Sequence, residues 1–88
     1  MGRYAVQLKP SADRSLARLP ESVQRRILLA MTDLGDNPKP PGVKKLAGGE
    51  NLWRVRVGDY RVVYEILRRP PLVMVLRVAH RKDVYRDK

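Results

Sequence analysis

The chain has 88 residues, and its 19 Lys and Arg against nine Asp and Glu give a formal net charge of +10. A positive field of this strength in so small a protein predicts an anionic partner, either nucleic acid or an acidic protein. The chain contains no Cys, which excludes a disulfide framework and a thiolate zinc site. The sequence shows neither the apolar segment of a signal peptide nor a run long enough to span a bilayer, and we therefore expect a cytoplasmic protein with no membrane partner.

The N-terminal part of the chain predicts a strand and then a short helix. Tyr4, Val6 and Leu8 alternate with polar or small residues, which is typical of a half-buried strand. Pro10 ends that strand, and Ser11 is the candidate N-cap of the first helix.

A second, longer helix follows, in which apolar residues recur at spacings of three and four. Pro20 suits its first turn, and Gly35 together with Pro38 marks its end. The prolines and glycine that come next predict a loop over residues 35–44, with at most a short extended segment over residues 43–46. The helix residues predicted to face the core are Val23, Ile27, Ala30, Met31 and Leu34.

Two alternating segments joined by Gly58-Asp59 predict a β-hairpin. Residues 52–57 and 60–65 alternate with period two, and a two-residue Gly-X connection is typical of a type II′ turn. This turn places Arg56 opposite Arg61, on a face that also carries Arg54, while the other face is apolar and aromatic. Like charges directly opposite each other destabilise a sheet by up to about 1 kcal/mol. We therefore expect the arginine face to bind an anion.

The C-terminal part predicts a last strand and a polar tail. Residues 72–79 are almost continuously apolar, which indicates a central strand buried on both faces. Arg77 interrupts this run and joins the basic face or lies near an edge, depending on the register. The order of elements, β-α-α-β-β-β, predicts one small α+β domain over residues 1–88, with two helices packed on a mostly antiparallel curved sheet.

The residues able to do chemistry are cations, one histidine and one tyrosine. Arginine cannot be deprotonated at working pH, but it clamps phosphate and stabilises charge on a pentacoordinate phosphorus. Histidine exchanges protons near neutral pH, and tyrosine stacks on bases or accepts a proton beside cations. Cleavage of a phosphodiester by its own 2′-hydroxyl needs these groups and neither a metal nor a cofactor. The candidates are Arg54, Arg56, Arg61, Arg77, His80, Arg81 and Tyr85, with Lys44 and Lys45 steering the protein towards RNA.

Two motifs resemble the RelE-family toxins of the RelE/ParE superfamily. Residues 52–65 are similar to the middle of these toxins, and residues 76–86 resemble their C-terminal motif, with its His-Arg-x-x-x-Tyr core intact. The resemblance covers essentially the whole chain. It implies a toxin that enters the ribosomal A site and cuts the bound mRNA with the 2′-hydroxyl as nucleophile. It also implies a cognate RelB-like antitoxin, and operator DNA that is bound only through the toxin–antitoxin complex.

The resemblance also implies roles for single residues. Arg61, Arg81 and Tyr85 match the catalytic Arg, Arg and Tyr of the family. Arg54 and Arg56 stand where the best-studied branch has two lysines. Because arginine only stabilises charge, either the role of general base passes to Tyr85 or to His80, or the activity is weaker than in that branch.

Two other hypotheses remain open from the sequence. A ParE-like poison of DNA gyrase shares the fold, although the intact His-Arg-x-x-x-Tyr ending argues against it. A basic module without catalysis, which binds RNA or an acidic partner, is compatible with the arginines at positions 54 and 56.

Overall fold

The computed structural model describes residues 3–46 and 51–84, which form a five-stranded sheet with two helices on one side. Its elements are β1 (Ala5–Leu8), α1 (Pro10–Ala17), α2 (Glu21–Asp36), β2 (Lys44–Lys45), β3 (Leu52–Val57), β4 (Tyr60–Arg68), β5 (Pro71–His80) and α3 (Arg81–Val84). The strand order is β1-β5-β4-β3-β2, and β1 pairs parallel with β5 while the other neighbouring strands pair antiparallel. The predicted α+β class is confirmed. Among the described helices, none is long and apolar enough to cross a membrane.

The core lies between the two helices and the inner face of the sheet, which is the face turned towards them. Alternation along β4 directs Val62, Tyr64 and Ile66 inwards. Full burial of an apolar side chain of this size contributes about 1.5–3 kcal/mol, so this layer supplies much of the fold's stability. The buried core residues are Ala12, Leu16, Ile27, Met31, Leu34, Val62, Tyr64, Ile66, Val73, Val75 and Val78.

The hairpin register predicted from the turn is confirmed. Arg56 lies opposite Arg61, and Val57 lies opposite Tyr60. Gly58 has a φ of +61°, and no described residue other than glycine has a positive φ. A type I′ turn needs positive φ at both central residues, so these angles fit type II′.

Two predicted helix boundaries were wrong. Ser11 is not the N-cap of α1, because the helix begins at Pro10 and Lys9 occupies the cap position; the fixed φ of proline suits the first helical position. Gly35 does not end α2, which continues to Asp36. A Cβ at Gly35 would lie 3.0 Å from the Tyr4 carbonyl oxygen, so this glycine allows the chain before β1 to approach the helix.

Strand β5 is central, as predicted, because it lies between β1 and β4. Its predicted burial on both faces was wrong. Val73, Val75 and Val78 are buried under the helices, whereas the residues between them are only half-buried. The two long helices, α1 and α2, pack on the inner face of the sheet, so neither covers these residues.

A β-bulge in β5 decides which side chains reach which face. Val63 lies opposite Arg77 and Tyr64 lies opposite Val75, so Leu76 is an extra residue. The inserted residue reverses the alternation along β5. Residues 73 and 75 face inwards before the bulge, and residues 78 and 80 face inwards after it.

Candidate nucleic-acid interface

Five cations share the outer face of the sheet, and we call this surface the basic face. Strand pairing places them in two adjoining rows, because residues directly opposite each other project to the same side. The first row runs Lys44, Arg54, Val63 and Arg77, and the second runs Arg56, Arg61 and Ala79. The bulge therefore settles the position of Arg77, which the sequence leaves open. The basic face consists of Lys44, Arg54, Arg56, Arg61 and Arg77.

The Arg61 guanidinium is partly buried within the basic face. Its side chain is partly buried between Arg56 and Ala79 on the neighbouring strands. Its Nη1 atom is buried and has no hydrogen-bond partner among the described residues. A buried donor without an acceptor costs free energy, and the cost is larger for a charged group. An anionic oxygen at this position would remove that cost.

The β3–β4 turn holds two of the candidate arginines. The Arg56 Nε donates a hydrogen bond to the Gly58 carbonyl oxygen at 3.1 Å. The backbone N–H of Arg81 donates to the Asp59 carbonyl oxygen at 2.8 Å, which fixes the start of α3 beside the turn. The Arg26 guanidinium of α2 packs on Gly58, with its atoms 3.1–3.4 Å from where a Cβ would stand. Arg26 is absent from the residues that the sequence proposes, because no local sequence pattern links α2 to this turn.

His80 lies on the inner face of the sheet, away from Arg61. It pairs with Tyr60, and the two rings meet edge to face with centroids 5.3 Å apart and an interplanar angle of 84°. Ala79, which pairs with Arg61, projects to the outer face. His80 and Tyr60 line an open cleft of about 590 Å³ between α1 and β5. The imidazole and the Arg61 side chain thus leave the sheet on opposite faces, while the cleft beside His80 extends to Arg77 of the basic face.

Lys45 is also separated from the basic face, although it follows Lys44 directly. It pairs with Trp53, and its Nζ lies 5.8 Å from the centroid of the Trp53 ring. The Nζ of Lys39 lies 4.8 Å from the same centroid. Both ammonium groups are within cation–π distance of the indole, so Lys45 packs on the helix side of the sheet.

Tyr85 lies outside the described residues, and its predicted role stays a prediction. Helix α3 covers Arg81–Val84 and leads directly to it along the chain. The side chain of Arg81 is exposed. The arrangement brings Arg61 together with four other cations on one face and anchors the backbone of Arg81 at the adjacent turn.

The fold and the basic face define a small α+β protein suited to binding a polyanion. Residues 6–85 match the family described as the ParE toxin of type II toxin-antitoxin system, parDE. The chain belongs to this RelE/ParE superfamily of type II toxins.

Relatives and solved structures agree with this membership. The chain is 34% identical over 87 residues to toxin RelG of Mycobacterium tuberculosis, covering 94% of this chain and 97% of that protein. The archaeal RelE–RelB complex from Pyrococcus horikoshii is similar with a TM-score of 0.80 and 31% identity, covering 90% of this chain and 96% of that one. The toxin–antitoxin complex RelBE2 from Mycobacterium tuberculosis gives a TM-score of 0.77 and 30% identity, covering 88% and 96%.

Proposed function

We propose that this chain is the toxin of a type II toxin–antitoxin module and acts as an endoribonuclease that cleaves mRNA in the ribosomal A site. The observation that carries the proposal is the buried Nη1 of Arg61, which has no acceptor among the described residues and lies within the basic face. A phosphate oxygen is the acceptor that such a guanidinium binds best. The proposed reaction needs neither a metal nor a cofactor.

The proposed chemistry is an internal displacement at phosphorus. The 2′-oxygen loses its proton and forms a bond to phosphorus, the bond to the 5′-oxygen breaks, and the departing 5′-oxygen takes up a proton from water. The products are a 2′,3′-cyclic phosphate and a 5′-hydroxyl. Negative charge grows on the non-bridging oxygens in the transition state. Arg61 and Arg81 donate to these oxygens, and loss of one such donor costs on the order of 10²–10³ in rate. The other cations of the basic face hold the neighbouring phosphates.

Tyr85 is the group we assign to accept the proton of the 2′-hydroxyl. The assignment rests on its match to the family's tyrosine and on the position of His80. Because His80 projects from the inner face of the sheet and Arg61 from the outer face, the imidazole is not directed towards a phosphate that Arg61 holds.

A RelB-like antitoxin is the proposed partner of this chain. Both of the similar structures described above are toxin–antitoxin complexes. A net charge of +10 also favours an acidic segment that covers the basic face and excludes RNA. Operator DNA would be contacted only through this complex.

A second candidate function is favoured by the matching family itself, whose description names ParE. A ParE-like toxin would poison DNA gyrase by binding, without cutting RNA. Expression of the chain would then cause DNA damage and leave mRNA intact.

The deciding experiment adds the purified chain, freed from any antitoxin, to a cell-free translation reaction. The mRNA ends are mapped by primer extension with and without ribosomes, and their chemistry is analysed. Cuts that need ribosomes and leave a 2′,3′-cyclic phosphate are expected. If mRNA stays intact while gyrase-dependent DNA breaks accumulate, the ParE-like function replaces the proposal. If neither occurs, the chain is a basic binding module.

A further inference from the structure

His80 stands where the chain leaves β5 and enters α3. Its Nδ1 accepts a hydrogen bond from the backbone N–H of Lys82 at 3.3 Å. The first N–H groups of a helix have no partner inside the helix, and an N-cap side chain accepts from the second or third of them. With α3 beginning at Arg81, His80 occupies the N-cap position and Lys82 is the second helical residue. The His80 imidazole is therefore the N-cap side chain of α3.

The imidazole is held in place from the sheet side. The Tyr60 ring contacts it edge to face, with centroids 5.3 Å apart. The next residue, Arg81, is held by its own N–H, which donates to the Asp59 carbonyl oxygen at 2.8 Å. Consecutive residues, His80 and Arg81, are thus anchored at the end of the hairpin turn where β4 begins, since Asp59 and Tyr60 are neighbours. These contacts fix the direction in which α3 departs from the sheet.

We propose that His80 is a positioning residue, which caps α3 and so directs Arg81. It transfers no proton in the reaction. This inference rests on the proposed function, because it assumes that Arg81 takes part in cleavage. An acceptor Nδ1 carries no hydrogen, so the cap requires the neutral tautomer that is protonated at Nε2.

Paired substitutions at position 80 separate positioning from proton transfer. Asn is one of the best N-cap residues, and its side chain does not ionise near neutral pH. The His80→Asn variant therefore keeps the cap and removes acid–base chemistry. We expect His80→Asn to cleave within about twofold of the wild type and His80→Ala to lose about 10-fold in kcat, with KM for programmed ribosomes unchanged. General acid–base catalysis predicts instead that both variants lose about 10²–10⁴-fold. Equal loss in both variants, or no loss in His80→Ala, overturns the proposal.

A second measurement tests the cap without any cleavage. The ¹⁵N chemical shifts of His80 report its tautomer, and amide hydrogen exchange reports the Lys82 N–H. We expect Nε2-protonated His80, and faster Lys82 exchange in His80→Ala but not in His80→Asn. A proton on Nδ1, or Lys82 exchange that is equal in all three proteins, overturns the cap. If the cap is present and the wild type cuts no mRNA, the proposed function fails while the structural assignment stands.

Discussion

Arg56 and Arg61 lie directly opposite each other in the β3–β4 hairpin, and both project to the basic face. The Arg56 Nε is bound to the Gly58 carbonyl oxygen, so its guanidinium stays near the turn and near Arg61. Two cations in this position destabilise a sheet by up to about 1 kcal/mol. Repulsion between the two arginines therefore lowers the stability of the free protein, and a bound polyanion would offset this repulsion.

Removal of this repulsion should stabilise the free protein. We expect Arg56→Thr to raise the free energy of unfolding by a few tenths of a kcal/mol to about 1 kcal/mol at low salt. The gain should shrink in about 1 M salt, where the Debye length is about 3 Å. Urea unfolding at both salt concentrations measures it. Arg68→Thr is the control, because Arg68 lies opposite Pro71 and faces no cation across the ladder. A gain of the same size in the control, or no salt dependence, contradicts the repulsion.

Loss of Arg61 should remove activity and leave the fold intact. Its Nη1 makes no hydrogen bond to another described residue, so Arg61→Ala breaks no interaction of that atom within the described structure. We expect a loss of about 10²–10³ in the rate of ribosome-dependent cleavage, with an unchanged thermal midpoint. Arg25→Ala is the matched control, because it removes the same charge from an exposed position outside the basic face. Arg25 forms an ion pair with Glu21 on α2. Full cleavage by the Arg61 variant would remove this residue from the proposed site.

The hairpin was predictable because its information is local. Gly58 and Asp59 determine the turn, and the turn determines every cross-strand pair of β3 and β4. The core face of α2 was predictable for the same reason, since the spacing of apolar residues reports it directly.

The positions of Arg77 and His80 were not predictable from alternation. Both follow Leu76, the extra residue of the β5 bulge, and the bulge exchanges the two faces for every later residue of the strand. No residue type in this segment signals a bulge. The sequence therefore grouped His80 with Arg61, whereas the fold places them on opposite sides of the sheet.

Lys44 and Lys45 offer a direct test of which face binds RNA. They are adjacent and carry the same charge, but Lys44 pairs with Arg54 on the basic face and Lys45 packs against Trp53 on the other side. We expect Lys44→Ala to lower the slope of log affinity against log salt by about 0.7 for single-stranded RNA, which is the loss of one phosphate contact. Lys45→Ala should leave the slope unchanged. Fluorescence anisotropy with a labelled RNA oligonucleotide measures the salt slope of both variants. Equal changes in the two slopes would show that RNA does not bind preferentially to the basic face.

Replacement of Gly35 by Ala should destabilise the fold, whereas the same replacement of an ordinary helical glycine stabilises it. Replacement by Ala normally stabilises a helix interior by about 0.5–1 kcal/mol. Here the new Cβ would lie 3.0 Å from the Tyr4 carbonyl oxygen and 3.3 Å from the Val6 Cγ2. Forced overpacking costs about 1–3 kcal/mol, so we expect Gly35→Ala to be destabilised on the order of 1 kcal/mol in urea unfolding. Ser22→Ala, at an exposed position of the same helix, should be nearly neutral. A Gly35→Ala variant more stable than the wild type would contradict this prediction and show that the chain at Tyr4 and Val6 moves to accommodate the new Cβ.

Tyr64 should make the stability of the fold sensitive to alkaline pH. Its buried hydroxyl donates a hydrogen bond to the Pro38 carbonyl oxygen, and burial raises its pKa from 10.0 to about 12. Below pH 10 the phenol is neutral in both folded and unfolded chains, so its contribution to stability is fully present. Between pH 10 and about 12 the unfolded chain ionises first, and stability falls as pH rises. We expect Tyr64→Phe to be less stable than the wild type by about 1 kcal/mol at neutral pH, because the hydrogen bond is lost. Its deficit should then shrink and reverse above pH 10, since each pKa unit corresponds to about 1.4 kcal/mol. Urea unfolding of both proteins across this range isolates Tyr64, because all other titrating groups are shared, and a deficit that stays constant with pH would contradict the shifted pKa.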